Sequence, residues 1–187
     1  ETPGVKRFFI RYPDEVALRF KPGQFIMLDL PINSKITNRS YSIASAPGTD
    51  NMLELLIVLN PQGLGTPYLF DHIKGGSAIK ATLPIGKFSL PETIDRDIMF
   101  ICTGTGVAPF RSMIFDIIRN KKPYTKLSLV MGVRHESDLM YRKEFEELAK
   151  QVSGFEYIPV LSRATPDTWS GRIGYVHQIY RERYNEP

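Results

Sequence analysis

The sequence predicts a two-part fold, an antiparallel β-barrel or sandwich followed by an α/β unit built on a parallel sheet. Three observations point there. Short apolar and β-branched runs recur between Pro and Gly turn signals through the first half. From Asp97 the pattern switches to apolar runs alternating with amphipathic segments, and the first of those runs feeds straight into a Gly-x-Gly turn and a helix start. Strands separated by tight turns build barrels and sandwiches, whereas strand and helix in alternation build right-handed βαβ units around a parallel sheet.

Length and composition agree with that division. A chain of 187 residues, 42% hydrophobic and 24% charged, buries a real core as one large domain or two small ones. The change of pattern sets the boundary at residues 1–94 and 95–187. No apolar run approaches bilayer length, and Glu1-Thr2-Pro3-Gly4 has neither the charged start nor the apolar centre of a signal peptide. The expectation is a cytoplasmic protein without membrane insertion. The single cysteine, Cys102, excludes an internal disulfide and a self-contained iron–sulfur cluster. His72, His135 and His177 lie far apart without ligand spacing, so no metal site is expected. The net charge of +4, weighted to the second half, suits phosphorylated cofactors or an acidic protein partner. Without a basic stripe interleaved with aromatics, nucleic-acid binding is not expected.

In the first half, strands are predicted at 8–12, 24–30, 39–44, 53–59 and 78–83, separated by turn signals such as Lys21-Pro22-Gly23, Pro47-Gly48 and Gly75-Gly76. The third strand carries Arg39-Ser40-Tyr41-Ser42. Alternate residues share a strand face, which puts Arg39 beside Tyr41. A guanidinium grips phosphate bidentately and a phenol stacks on a flat ring, and a flavin nucleotide would satisfy both. Ser42 turns the other way and reaches such a ligand only at the ring's edge or through its backbone N–H. The same residues also suit an ordinary half-buried strand with an exposed arginine and a packing tyrosine. One helix interrupts the strands: Gly63-Leu64-Gly65-Thr66-Pro67 runs into Tyr68, Leu69 and Phe70, with Thr66 as N-cap and Pro67 as first helical residue. That helix start offers N–H groups to an anion, or is a plain capped helix closing the barrel. Pro84-Ile85-Gly86-Lys87-Phe88 then turns the chain toward a linker near 91–95.

In the second half, Ile98-Met99-Phe100-Ile101 is a continuous apolar run of the kind buried on both faces of a parallel sheet. It leads through Thr103-Gly104-Thr105-Gly106 to a helix at 109–120. Strand, Gly-x-Gly and helix start form the layout that holds a nucleotide pyrophosphate, although the third glycine of the dinucleotide fingerprint is absent and Pro109 lies near that point. Strands follow at 127–131 and 155–161, with helices at 138–151 and 175–183.

Taken in order, Arg39-Ser40-Tyr41-Ser42, Gly63-Leu64-Gly65-Thr66, Pro84-Ile85-Gly86-Lys87-Phe88 and Gly104-Thr105-Gly106-Val107-Ala108-Pro109-Phe110 resemble the ferredoxin–NADP⁺ reductase superfamily over nearly the whole chain. The resemblance implies a six-stranded antiparallel FAD-binding barrel followed by an α/β pyridine-nucleotide domain. It implies that Arg39 binds the FAD pyrophosphate, that Tyr41 stacks on the isoalloxazine and that Ser42 approaches its N5 edge, with Ser40 in the same cofactor-binding strand. Gly63, Gly65 and Thr66 would hold phosphate at the helix start, and Thr103, Gly104, Thr105 and Gly106 would face the nicotinamide nucleotide. Arg134, within Gly132-Val133-Arg134, also resembles a nucleotide-binding position. Ser162 with Arg163, and Arg172, are similar to places where NADPH-using members bind the 2′-phosphate, and Tyr175 to an adenine-stacking residue. Both arginines also suit solvated surface positions, and Trp169 beside them suits core packing.

By the same likeness the activity would be hydride transfer between NADPH and FAD, with Tyr41 and Ser42 at the reacting ring, and single-electron exchange with a ferredoxin, flavodoxin or another one-electron protein. Two other readings remain, an NADH-dependent reductase component of an oxygenase system and a non-catalytic flavin-binding module. Cys102 precedes the glycine turn and does not correspond to the family's catalytic cysteine, so it reads as a buried strand residue. The sequence ends at Tyr184-Asn185-Glu186-Pro187 without the later Cys-Gly strand of the family. The expectation is therefore an α/β domain incomplete at its C-terminal end.

Overall fold

A computed structural model describes residues 1–48 and 50–183, so Tyr184 to Pro187, where the sequence reading expects truncation, lie outside the described residues. The chain forms two compact units. One comprises Gly4–Pro91 with Ala108–Lys121, and the other comprises Glu1–Pro3, Glu92–Val107 and the chain from Lys122 onward.

The first unit is antiparallel. Strands β1 (Val5–Arg11), β2 (Phe25–Ile32), β3 (Lys35–Ser42), β4 (Met52–Val58) and the short β5 (Lys80–Ala81) form a two-stranded sheet β1-β4 and a three-stranded sheet β3-β2-β5. The expected six-stranded ladder is not closed by hydrogen bonds. The two sheets are joined where Ile43 bridges Leu55, and in place of a sixth strand Ile85 makes a single bridge to Phe25. The core follows from the period-two pattern of β2, whose Ile26, Leu28, Leu30 and Ile32 all point inward. Leu53, Leu55 and Ile57 of β4 and Leu69 and Phe70 of α1 (Gly65–His72) complete it.

The β2–β3 hairpin is longer than predicted at both inner ends. Asn33 and Ser34 both adopt positive φ, 52° and 60°, the conformation a two-residue hairpin turn requires. The register then carries Pro31 opposite Ile36 and Ile32 opposite Lys35.

The second unit holds four parallel strands in the order β6-β7-β8-β9: β6 (Ile98–Thr103), β7 (Leu127–Val133), β8 (Phe155–Leu161) and β9 (Arg172–Ile173). β7 lies between two neighbours and is buried from Leu127 to Gly132, as a strand covered on both faces should be. Helix α2 (Val107–Arg119) starts two residues earlier than predicted, which puts Pro109 in its first turn, where no N–H is needed. The helix predicted at 138–151 is broken. A 3₁₀ turn spans Glu136–Asp138, Leu139 is extended, Tyr141 is left-handed at φ 54°, and α3 runs only over Arg142–Gln151. The Asp138 carboxylate closes its own turn by accepting the His135 N–H at 3.1 Å, and Leu139, Met140 and Tyr141 are all buried, so packing overrides helix propensity there. Helix α4 (Val176–Arg183) follows β9.

Candidate functional site

Two groups of the singled-out residues assemble, one within each unit. In the antiparallel unit, β3 pairs Arg39 with Leu28 and Tyr41 with Ile26. Directly paired residues project from one sheet face, so Arg39 and Tyr41 do share a side, and Ser40 and Ser42 take the other. Tyr41 packs its ring against the core while staying partly exposed. Burial pushes its phenol above its ordinary value, outweighing the lowering effect of Arg39. The hydroxyl is therefore a neutral donor and acceptor at physiological pH.

Arg39 is brought to the start of α1. A Cβ added to Gly65 would meet Arg39 Cγ at 3.1 Å and Nε at 3.2 Å; the missing side chain leaves room for the arginine stem against the helix start. The predicted cap is not used. Thr66 lies inside α1, Leu64 occupies the cap position, and no side chain caps the helix. The Thr66 hydroxyl is committed elsewhere, accepting the Asn60 N–H at 2.8 Å, and the Gly63 N–H donates to the Asn60 carbonyl at 3.0 Å. First-turn N–H groups have no acceptor within the helix, so an uncapped tip beside a guanidinium is a ready receptor for a phosphate. The donor set, a guanidinium beside a helix start with no side-chain cap, fits the pyrophosphate of FAD.

In the parallel unit, the singled-out residues line the carboxyl edge of the sheet. β6 ends at exposed Thr103, Gly104 turns the chain at φ 53°, and Gly104–Gly106 forms one 3₁₀ turn before α2. A glycine takes that φ without steric cost. Thr103 is in register with Gly132, and beyond β7 and β8 the Arg163 N–H donates to the Arg134 carbonyl at 3.0 Å. Arg134 and Arg163 are therefore neighbours, and both are exposed. Ser162 sits between strand and loop, with its hydroxyl 3.4 Å from the Val133 carbonyl. Arg172, on β9, forms an ion pair with Glu182 at 3.0 Å. Tyr175 is 62% exposed and stacks on His177. Trp169 is partly buried beneath the Arg142 guanidinium and donates its indole N–H to the Arg172 carbonyl. An open sheet binds nucleotides in the crevice outside its strand carboxyl ends, and this edge collects the glycine turn, a hydroxyl and a pair of arginines.

Cys102 is buried in β6 and burial pushes its thiol up to about 12, so it is not a nucleophile. A cavity of about 200 Å³ in the antiparallel unit is lined by Ser45, Glu54, Arg111 and Phe115 among others, and by none of the residues Arg39 to Ser42. Glu54 and Arg111 escaped the sequence reading. Their one visible signal is an acid in the middle of the otherwise apolar run Met52-Leu53-Glu54-Leu55-Leu56-Ile57-Val58.

An antiparallel unit is thus joined in one chain to a parallel-sheet unit, and each matches a known family of oxidoreductase domains. Residues 2–90 match the oxidoreductase FAD-binding domain and residues 100–187 the oxidoreductase NAD-binding domain. The chain is 35% identical over 185 residues to ferredoxin–NADP reductase B of Sorangium cellulosum, covering 99% of this chain and 75% of that protein. It is 34% identical over 161 residues to the anthranilate 1,2-dioxygenase electron transfer component of Acinetobacter baylyi, covering 86% and 46%. The fold superposes on the crystal structure of an Amycolatopsis cytochrome P450 reductase with a TM-score of 0.86 at 29% identity, covering 99% of this chain and 55% of that one. The chain belongs to the ferredoxin–NADP reductase family of electron-transferring flavin oxidoreductases. It spans three quarters of the first relative and about half of the other two. Among the described residues no helix is long and apolar enough to cross a membrane.

Proposed function

We propose that this chain carries the FAD- and nucleotide-binding parts of an NADPH-dependent reductase that delivers electrons singly to a ferredoxin, a flavodoxin or another one-electron protein. The observation that carries the reading is Arg39 laid over Gly65 at the uncapped tip of α1, on the strand face it shares with Tyr41. Arg39 and the first amides of α1, with Gly63, Gly65 and Thr66, hold the pyrophosphate. Tyr41 supplies a flat neutral ring for stacking, and Ser40 and Ser42 lie on the opposite face, where the Ser42 backbone reaches the ring's edge. Bound FAD would supply the conversion between hydride and single-electron chemistry, and the protein orients the reactants. At the sheet edge Thr103 to Gly106 receive the nicotinamide nucleotide, Arg134, Ser162, Arg163 and Arg172 its phosphates, and Tyr175 its adenine.

A second reading, an NADH-dependent reductase serving an oxygenase, is favoured by one contact. Glu182 pairs with Arg172 at 3.0 Å, and a carboxylate beside that arginine suits ribose hydroxyls better than a phosphomonoester. The experiment is anaerobic titration of the FAD-loaded protein. Bleaching of the flavin bands by NADPH at lower concentration than by NADH supports the first reading, and the reverse order supports the second. A flavin that binds and never bleaches marks a non-catalytic module, and a protein that stays colourless in excess FAD overturns all three.

A further inference from the structure

Glu54 is 4% exposed in the middle of a strand whose other central residues are all apolar. It accepts from Arg7 of β1 at 2.5 and 3.1 Å and from Arg111 of α2 at 3.3 Å. Burying an ionised carboxylate is costly, and apolar replacements of the same shape are often no less stable. Stability alone therefore gives little reason for an acid here, and its position suggests another.

Beyond Ser42 the polypeptide leaves the β3-β2-β5 sheet and crosses to β4, and the Glu54 group lies at that crossing. Ile43 N–H donates to Gln24, Ala44 N–H donates to the Glu54 carbonyl at 2.7 Å, and Glu54 N–H donates to Ser45 Oγ at 3.0 Å. The same Arg111 nitrogen that meets the Glu54 carboxylate donates to the Ala44 carbonyl at 2.8 Å. One buried acid thus aims one guanidinium at the backbone two residues past Ser42, and all of these groups lie in the antiparallel unit.

We infer that Glu54 and Arg111 are positioning residues for the flavin: they clamp the two peptides of Ala44, and through that fixed point, two residues past Ser42, they hold the backbone beside the flavin's ring edge in one orientation. The inference rests on the flavin reading of Arg39 and Tyr41. Glu54 and Arg111 touch no cofactor themselves and act through the Ala44 carbonyl.

The test uses the full chain with added FAD and four variants. Glu54→Gln keeps the shape and removes the charge, Arg111→Met removes the donor at similar length, Arg111→Lys keeps a cation, and Arg119→Ala changes an exposed arginine of the same helix that does not reach Ala44. Glu54→Gln and Arg111→Met are expected to raise the FAD dissociation constant about tenfold, the loss of one charge-assisted hydrogen bond. Both are expected to move the flavin's visible bands and reduction potential toward those of free FAD. Arg111→Lys is expected to recover part of each change, and Arg119→Ala to match the wild type.

Melting temperature is read in parallel. If Glu54→Gln and Arg111→Met melt early while affinity, spectrum and potential stay at wild-type values, the clamp is merely structural and the inference is overturned. If either variant does not fold, Arg111→Lys decides alone: an unshifted potential and affinity overturn the inference, and an intermediate shift supports it. Arg39→Ala separates the two levels. A wild type that takes up FAD in an Arg39-dependent way, with all clamp variants unchanged, sinks this inference only, whereas a wild type indifferent to FAD sinks the flavin reading beneath it.

Discussion

On the proposed reading, the two units would receive phosphate by different constructions. In the antiparallel unit the groups of the proposed receptor are fixed by the protein's own contacts: Gly65 admits the Arg39 stem, Thr66 is tied to the Asn60 loop, and the helix tip has no side-chain cap. In the parallel unit Arg134 and Arg163 stand on exposed loops just past the ends of β7 and β8, and Arg172, the first residue of β9, is paired with Glu182. A preorganised receptor loses little entropy on binding and concentrates its affinity in few contacts. A dispersed set of surface arginines shares the work and tolerates the loss of one. The first arrangement suits a cofactor that stays bound, the second a coenzyme that must leave after each turnover.

That contrast predicts where single substitutions hurt most. Arg39→Ala should be the most damaging, raising the FAD dissociation constant by roughly 10–100-fold, the equivalent of one charge-assisted pair, with nucleotide affinity unchanged. Fluorescence titration of FAD checks it, and a loss below threefold would remove the preorganised cradle from the comparison. Arg163→Ala comes next. Its neighbour Arg134 remains, so the preference for NADPH over NADH should fall by about tenfold rather than vanish. Coenzyme kinetics on the reduced flavin would show it, and an unmoved preference would shift the 2′-phosphate assignment to Arg134 or Arg172. Gly65→Ala is milder, because the 3.1 Å clash is with a flexible arginine stem that can yield. FAD affinity should drop by only a few-fold, about 0.5–1 kcal/mol of the sort an off-rotamer side chain costs.

How much of this was legible in the sequence depends on the range of the interaction. Alternation in Phe25-Ile26-Met27-Leu28-Asp29-Leu30 and the unbroken apolar run of Leu127 to Met131 are local signals, and both strands formed where they were expected. Pro31 looked like a strand end, but the strand continues to Ile32, because a proline can sit beside a tight hairpin turn if its missing N–H is not needed. The common face of Arg39 and Tyr41 was legible, since pleating alone decides it. That Thr66 would serve the Asn60 loop rather than cap its own helix depended on a backbone bend that sequence spacing does not specify. The Arg7–Glu54–Arg111 group is further from reach. Its members are 47 and 57 residues apart, on two strands and a helix, and only the isolated acid in β4 hinted at it. β9 is two exposed residues long and carries no apolar pattern at all.

The smallest effect sharpens the comparison from the stability side. In the parallel unit Glu156 of β8 takes a two-bond contact from Arg183 of α4, at 2.6 and 2.7 Å, with Lys126 at 3.3 Å. The Arg183 hydrogen bonds hold the Glu156 carboxyl below its ordinary value of 4.5, against a smaller raising effect of burial, with the charges of Arg183 and Lys126 adding to the lowering. A carboxyl whose pKa is lower folded than unfolded contributes stability that is fully present above about 4.5 and is lost as pH falls through the lower folded value. Because both partners are partly exposed, at 28% and 37%, water screens the pair and its contribution stays within about 1 kcal/mol. Arg183→Ala should therefore lower the melting temperature slightly at pH 7 and converge with the wild type below pH 4, and added salt should shrink the difference at pH 7. A gap that persisted undiminished at pH 3 would mean that Arg183 secures α4 by packing its stem rather than by its charge.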